Sequence, residues 1–213
     1  MVEQEPRGFP AFARGAAHSR HRVLISDNPA QWRRTVRAFF QEGLALGEPC
    51  LCLHYLISRR SVCRCLEAVG VDAEDAQNKG LLTFLSAEEV FNQDGVFSPT
   101  TCLGALVKAG RSAVPNWGGP VRVVADMNWA ADSRLNHLRL LVYEDMINRR
   151  LLPHFPVNLL CYYARALFPP AFLQEVMARH KSEVPFLEPI GAGSGLPVPL
   201  NGGNGHRFSL AAL

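Results

Sequence analysis

Apolar and polar positions along the chain switch between two periods, and each switch marks a change of element. His21-Arg22-Val23-Leu24-Ile25 is a short β-prone run. At Asp27-Asn28-Pro29 it gives way to a helical pattern in which Trp32, Val36, Phe39, Phe40 and Leu44 recur. Asn28 is the expected cap, Pro29 suits the first helical position and Gln31 stands at capping-box spacing. Gly47 is the natural stop. Residues 49–55 read as a second, buried strand, and 61–69 as a helix ended by Gly70. Residues 81–85 predict a third strand, 86–89 open a short helix, and 100–108 predict another. The run Val121-Arg122-Val123-Val124-Ala125 has the character of a central parallel strand. Ser133 is expected to cap a helix carrying Leu135, Leu138, Val142 and Met146. Residues 157–162 form the last clear strand and 170–180 the last helix.

Strands alternating with helices predict an α/β fold of three layers, a mainly parallel sheet with helices on both faces. The folded unit is expected over 18–184, between a flexible arm at 1–17 and a Gly/Pro-rich flexible tail at 185–213. Open parallel sheets place ligands beyond the carboxyl ends of their strands. The segments ending at Ser26, Tyr55, Asp126 and Tyr162 are therefore the places to look for a site.

Composition narrows the function classes. At 213 residues, 48% hydrophobic and 19% charged, the chain can bury an ordinary globular core. A net charge of +3 without any long Lys/Arg block gives no footprint for direct nucleic-acid binding. Arg33, Arg34 and Arg37 read as a solvated helix face. The first residues carry acids where a signal peptide carries bases, and no apolar run reaches the ~18 residues of a membrane span. The expectation is a cytoplasmic chain, without membrane attachment, whose six cysteines stay reduced.

A phosphate loop would lie between the first strand and the first helix, as Gly-x-x-x-x-Gly-Lys-Ser/Thr. That place holds Ser26-Asp27-Asn28-Pro29-Ala30-Gln31-Trp32-Arg33. It has no Gly to open the backbone, Pro29 removes an amide donor, and Asp27 repels phosphate. No Lys or Ser/Thr stands where the phosphate contact and magnesium ligand belong, so hydrolysis of a nucleotide by this loop is not expected.

Several short motifs carry a resemblance. They are His21 opening the first strand, then Gly43, Leu44, Gly47 and Glu48, then Arg122, Met127 and Trp129. Tyr143, Glu144 and Asn148 follow, and finally Cys161 and Tyr162. In this order and spacing they resemble the MEDS domain, a sensory module, within a RecA/KaiC-like core with a degenerate P-loop. The likeness covers about residues 18–182; Asp126 stands where the family usually has Glu. The resemblance implies a sensory or regulatory module for a small ligand, hydrocarbon-derived or one-carbon; with a degenerate phosphate loop and no catalytic motif it is expected to be non-catalytic, and no cofactor is expected. It implies a separate regulatory partner, a kinase or transcription regulator; a homo-oligomer is left open.

The candidate ligand-binding residues are Asp126, Trp129, Glu144, Tyr162, Arg122 and His21. Asp126 ends the fourth strand, where its carboxylate either meets a ligand or caps the next turn. Trp129 either walls an apolar pocket or covers the core. Glu144 and Asn148 share a helix face with His137 and Leu141, and the acid pairs with Arg122 or contacts a ligand. His21 is a proton-sensitive switch or a partner of a nearby carbonyl, and it lacks partners at metal spacing in sequence. Tyr162 offers its hydroxyl to the crevice or packs with a wet tip. Asp126, Trp129, Glu144 and Tyr162 are expected to converge on one crevice, with Arg122 orienting Glu144 from beneath.

Cys50-x-Cys52 and Cys63-x-Cys65 invite a zinc reading. On a helix, however, Cys63 and Cys65 point about 200° apart, so no metal is expected there. The alternatives to the sensory reading are a nucleotide-binding protein or enzyme with a non-standard phosphate site, and a thiol or metal sensor.

Overall fold

The computed structural model describes residues 20–91, 97–113, 119–131, 134–180 and 182–183. The expected arm at 1–17, the tail at 185–213 and the Ser133 cap lie outside the described residues. The elements are β1 (Arg20–Ile25), α1 (Pro29–Ala45), β2 (Cys50–His54), α2 (Arg59–Glu67), α3 (Ala73–Asn78) and β3 (Leu82–Ser86). They continue through α4 (Ala87–Phe91), α5 (Pro99–Ala113), β4 (Val121–Asp126), α6 (Arg134–Met146), β5 (Val157–Tyr163), α7 (Pro170–Arg179) and β6 (Ser182–Glu183). The sheet is parallel throughout, in the order β3-β2-β4-β5-β1-β6.

The sheet divides the core into two halves. Helices α1 to α3 cover one face, packing Trp32, Val36, Phe40, Val62 and Leu66 against Leu24, Val124 and Leu160. Helices α4 to α7 cover the other, packing Phe91, Leu106, Leu140 and Val176 against Val23, Val123 and Leu159. Side chains alternate along each strand, so parity alone decides which half a residue joins. Arg122, Asp126 and Tyr162 therefore belong to the α1–α3 side, and His21, Cys161 and Tyr163 to the other.

The expected strands and long helices are present, within a few residues at their ends. Helix α1 stops as expected, with Gly47 at φ 70° where an L side chain would be strained. Helix α3, the two-residue β6 and a π-turn at Ile147–Leu151 were not foreseen. Helix α6 buries a different face from the apolar stripe in its sequence. Leu138 is 60% exposed and Val142 52%, while His137, Leu140, Tyr143 and Glu144 turn inward. Polar partners on the sheet make that inward face stable where hydrophobicity alone points elsewhere. Among the described residues no helix is long and apolar enough to cross a membrane.

Candidate functional site

Two polar clusters hold four of the six candidate residues, Asp126 and Tyr162 in one and His21 and Glu144 in the other. The first closes the carboxyl ends of the strands. The Asn28 side chain caps α1, accepting from the amides of Ala30 at 2.9 Å and Gln31 at 3.3 Å. Gln31 does not complete a capping box; its carbonyl oxygen accepts from the Ser26 hydroxyl at 2.5 Å. The Asn28 amide donates to Ser26 Oγ at 3.0 Å. Asp27 accepts from the amide of Ala166 at 2.9 Å, tying the turn to the end of β5.

Asp126 is the centre of this region. Its Oδ2 accepts from the amides of Leu56 at 2.8 Å and Ile57 at 3.1 Å. Its Oδ1 accepts from the backbone and side-chain N–H groups of Asn128 at 3.1 and 2.6 Å. The Asn128 carbonyl oxygen in turn accepts from the amide of Ala164 at 2.7 Å. One carboxylate and one amide thus fasten the ends of β2, β4 and β5 together. Burial pushes the Asp126 carboxyl up to about 6, against the four N–H donors that pull it down. Beside it, the Tyr162 hydroxyl donates to the Ser26 carbonyl at 3.2 Å.

The second cluster lies on the other face of the sheet. Glu144 Oε2 stands 3.0 Å from His21 Nε2 and 3.7 Å from His180 Nε2. Cys161 Sγ lies 3.4 Å from His21 Nε2 and 3.9 Å from Glu144 Oε2. The Tyr163 hydroxyl donates to Glu144 Oε1 in a short hydrogen bond. His21, Glu144 and Cys161 are wholly buried, and His180 is 8% exposed. Burial lowers the His180 imidazole to about 4, so it is neutral near pH 7. Burial pushes the Glu144 carboxyl up, but His180, His21 and the Tyr163 hydroxyl outweigh it and hold the group below its ordinary value.

The fold explains this meeting. Strand β1 brings His21, β5 brings Cys161 and Tyr163 with the strand period of two, α6 brings Glu144, and the end of α7 brings His180. Asn148, opening the π-turn, donates to the carbonyls of Glu144 at 3.2 Å and Arg179 at 2.8 Å. Its side-chain oxygen faces His21 Nδ1 at 3.1 Å. Two of these residues, His180 and Tyr163, were not among the candidate ligand-binding residues. In the Cys-x-Tyr motif the residue two after Cys161 is Tyr163, not Tyr162, and only the former shares the face of Cys161.

The six candidates do not share one crevice. Asp126 and Tyr162 are neighbours in register across β4 and β5, on the α1–α3 side. Trp129 and Glu144 belong to the opposite side. Arg122 does not orient Glu144; the sheet separates them. Its guanidinium donates to Glu48 at 2.6 Å, to Glu42 at 2.7 Å and to the Phe39 carbonyl at 3.1 Å. This approach needs Gly43, where an added Cβ would stand 2.5 Å from Arg122 Cδ. Trp129 stacks on Phe91 at 5.3 Å between ring centroids and meets the edge of Phe97 at 4.9 Å. Its indole N–H is buried without a hydrogen-bond partner.

The cysteine pairs remain apart from any such cluster. Cys50 and Cys52 share a strand face in the α1–α3 half, and burial pushes the Cys50 thiol up to about 12. Among the described residues, the grouping of His, Cys, Asp or Glu close enough to share one ion is the His21 cluster.

A family model for the methanogen/methylotroph, DcmR sensory domain matches residues 20–181. The chain belongs to the MEDS family. A sensory or regulatory role follows from that membership. Solved structures with the same fold include an uncharacterized protein from Pyrococcus horikoshii in complex with an unknown peptide. It is 17% identical, with a TM-score of 0.55, covering 77% of this chain and 76% of that one. A KaiC-like protein from Pyrococcus horikoshii OT3 is 14% identical, with a TM-score of 0.52, covering 86% and 80%. At these identities the likeness shows a KaiC-like fold for the MEDS domain and nothing of its chemistry. No curated protein matches the sequence.

Proposed function

We propose that this MEDS domain is a non-catalytic sensor of a small, largely apolar ligand bearing one hydrogen-bond acceptor. Its signal passes to a separate regulatory protein, of the kinase or transcription-regulator class. The observation that carries this reading is the Trp129 indole N–H, buried without a partner on a ring that packs against Phe91 and Phe97, which in turn meet Tyr143. A buried N–H left unmade costs about 1–3 kcal/mol. A hydrocarbon derivative with a carbonyl, hydroxyl or halide would satisfy it while burying its apolar part against the rings. The closed strand ends support the non-catalytic half of the reading, because Asp126 and the β1–α1 turn spend their polar groups on the protein's own backbone.

The test is a thermal-shift screen of small apolar and one-carbon compounds, since a ligand of the native state raises the melting temperature by mass action. A stabiliser should lose its effect in Trp129→Phe, which keeps an aromatic ring and removes the N–H. Trp32→Phe is the control, because that indole is also buried without a partner, on the other face of the sheet. Equal shifts in both variants and the parent chain, or no stabiliser, would refute the ligand assignment. A second reading takes a peptide segment of the partner as the ligand, by analogy with the neighbour solved with an unknown peptide. It would show as stabilisation by partner-derived peptides alone.

A further inference from the structure

Hydrogen-bond roles in the His21 cluster leave it short of protons. A backbone carbonyl only accepts, so His180 Nδ1, 2.7 Å from the Val176 oxygen, carries a proton. In the neutral ring, Nε2 is then a lone pair, and it is buried with no hydrogen-bond partner. Asn148 donates both contacts of its NH2 group to carbonyls, so its oxygen faces His21 and His21 Nδ1 carries a proton as well. His21 Nε2 stands 3.0 Å from a carboxylate oxygen, and were the ring neutral its lone pair would face that oxygen. Two imidazole nitrogens, a thiol sulfur and one carboxylate oxygen converge there, and His180 Nε2 finds no hydrogen-bond donor among them. A proton added to His21 would settle one contact and leave His180 Nε2 with none. Protonating both rings would set two cations 3.9 Å apart between centroids in a buried site.

We infer that His21 Nε2, His180 Nε2, Cys161 Sγ and Glu144 Oε2 are the ligands of one divalent, zinc-class cation. The four atoms lie within 4.8 Å of one another. Tetrahedral zinc with bonds of about 2.0–2.3 Å sets its ligand atoms roughly 3.3–3.6 Å apart. The His21–Cys161 separation of 3.4 Å already fits, and the His180–Glu144 separation of 3.7 Å nearly does. The mixed nitrogen, sulfur and oxygen set suits zinc or cobalt over magnesium or calcium, which prefer oxygen alone. Charges balance as well: on binding, Cys161 releases its proton to solvent, and thiolate plus carboxylate neutralise the dication. Outer partners that orient the ligands are present: Asn148 and Val176 on the two imidazoles, and Tyr163 on the far carboxylate oxygen. This set shares no residue with the Cys50–Cys65 pairs, for which no metal was expected.

The test uses the full chain, stripped with chelator and supplied with cobalt(II) both in the native state and during refolding, because the ligands are buried. The inference predicts uptake of one equivalent, visible absorption of a tetrahedral centre, and a thiolate-to-cobalt charge-transfer band. Zinc should displace the cobalt and raise the melting temperature of the stripped chain. Cys161→Ser should remove the charge-transfer band and weaken binding about 100-fold or more, with His180→Gln as a second variant less exposed to folding failure. Cys63→Ser, on the other face, should change nothing. No cobalt uptake by either route would establish a metal-free ion pair and overturn the inference. So would a charge-transfer band that survives Cys161→Ser.

Discussion

The two polar clusters are built from similar residues and solve opposite problems. At the strand ends, one carboxylate meets four N–H donors, and each is a group of the protein's own chain. Around Glu144, acceptors outnumber donors, and one imidazole nitrogen has no hydrogen bond. Buried polar groups that are matched rigidify a fold, while unmatched ones point to something that completes them. The turn after β1, where a phosphate loop was sought, is a fastening, and the unmatched polar groups lie on the other face of the sheet.

Breaking the second cluster should have the larger effect. Glu144→Leu leaves the buried Tyr163 hydroxyl facing a side chain that cannot accept, and removes the carboxylate beside the His21 and His180 Nε2 atoms. We expect a loss of about 3–5 kcal/mol of stability, measured by urea unfolding. Asp126→Asn should cost less, about 2–3 kcal/mol, because its NH2 group would confront N–H donors that now find an acceptor. Gly43→Ala should follow at about 1–3 kcal/mol, through displacement of Arg122 from Glu42 and Glu48.

The pH dependence sharpens the comparison further. Asp126 is raised from 3.8 to about 6 in the native state, so the folded protein holds that proton more tightly than the unfolded chain. Its contribution is complete below the unfolded value and is lost as pH rises through about 6. The penalty of Asp126→Asn should therefore grow, by on the order of 1–3 kcal/mol, as the medium is acidified from about pH 7 to about pH 4. Urea melts of both proteins across that range give the difference directly, with all other titrating groups cancelling. A penalty that shrinks on acidification would mean the four donors win over burial.

The fold was legible because strand and helix periods are local properties. Val121 to Ala125 could hardly be anything but a central strand, and Asn28-Pro29 could hardly fail to start a helix. Short α3 and the π-turn left no such signature. The site was legible by residue and illegible by geometry. His21, Glu144 and Cys161 were each singled out, yet nothing in the local pattern placed His180, at the end of a helix, beside them. Strand parity held information that motif matching overlooked. Arg122 shares its face with Val124, toward Glu42 and Glu48, so it had to turn away from Glu144. Tyr163, not Tyr162, had to accompany Cys161 for the same reason. The inward face of α6 was hidden because its stability comes from polar partners supplied by β1, β5 and α7.

The account rests on the claim that the face of the sheet carrying the His21 cluster and Trp129, rather than the strand-end turn, is where this protein holds something other than itself. Native mass spectrometry of the freshly purified full chain tests that most directly, repeated after chelation and with Cys161→Ser. We predict an adduct with the mass of one zinc-class ion, lost in both treatments, and no nucleotide even when ATP and magnesium are supplied in excess. A nucleotide adduct, or a chain that stays free of metal after zinc is supplied during refolding, would contradict it.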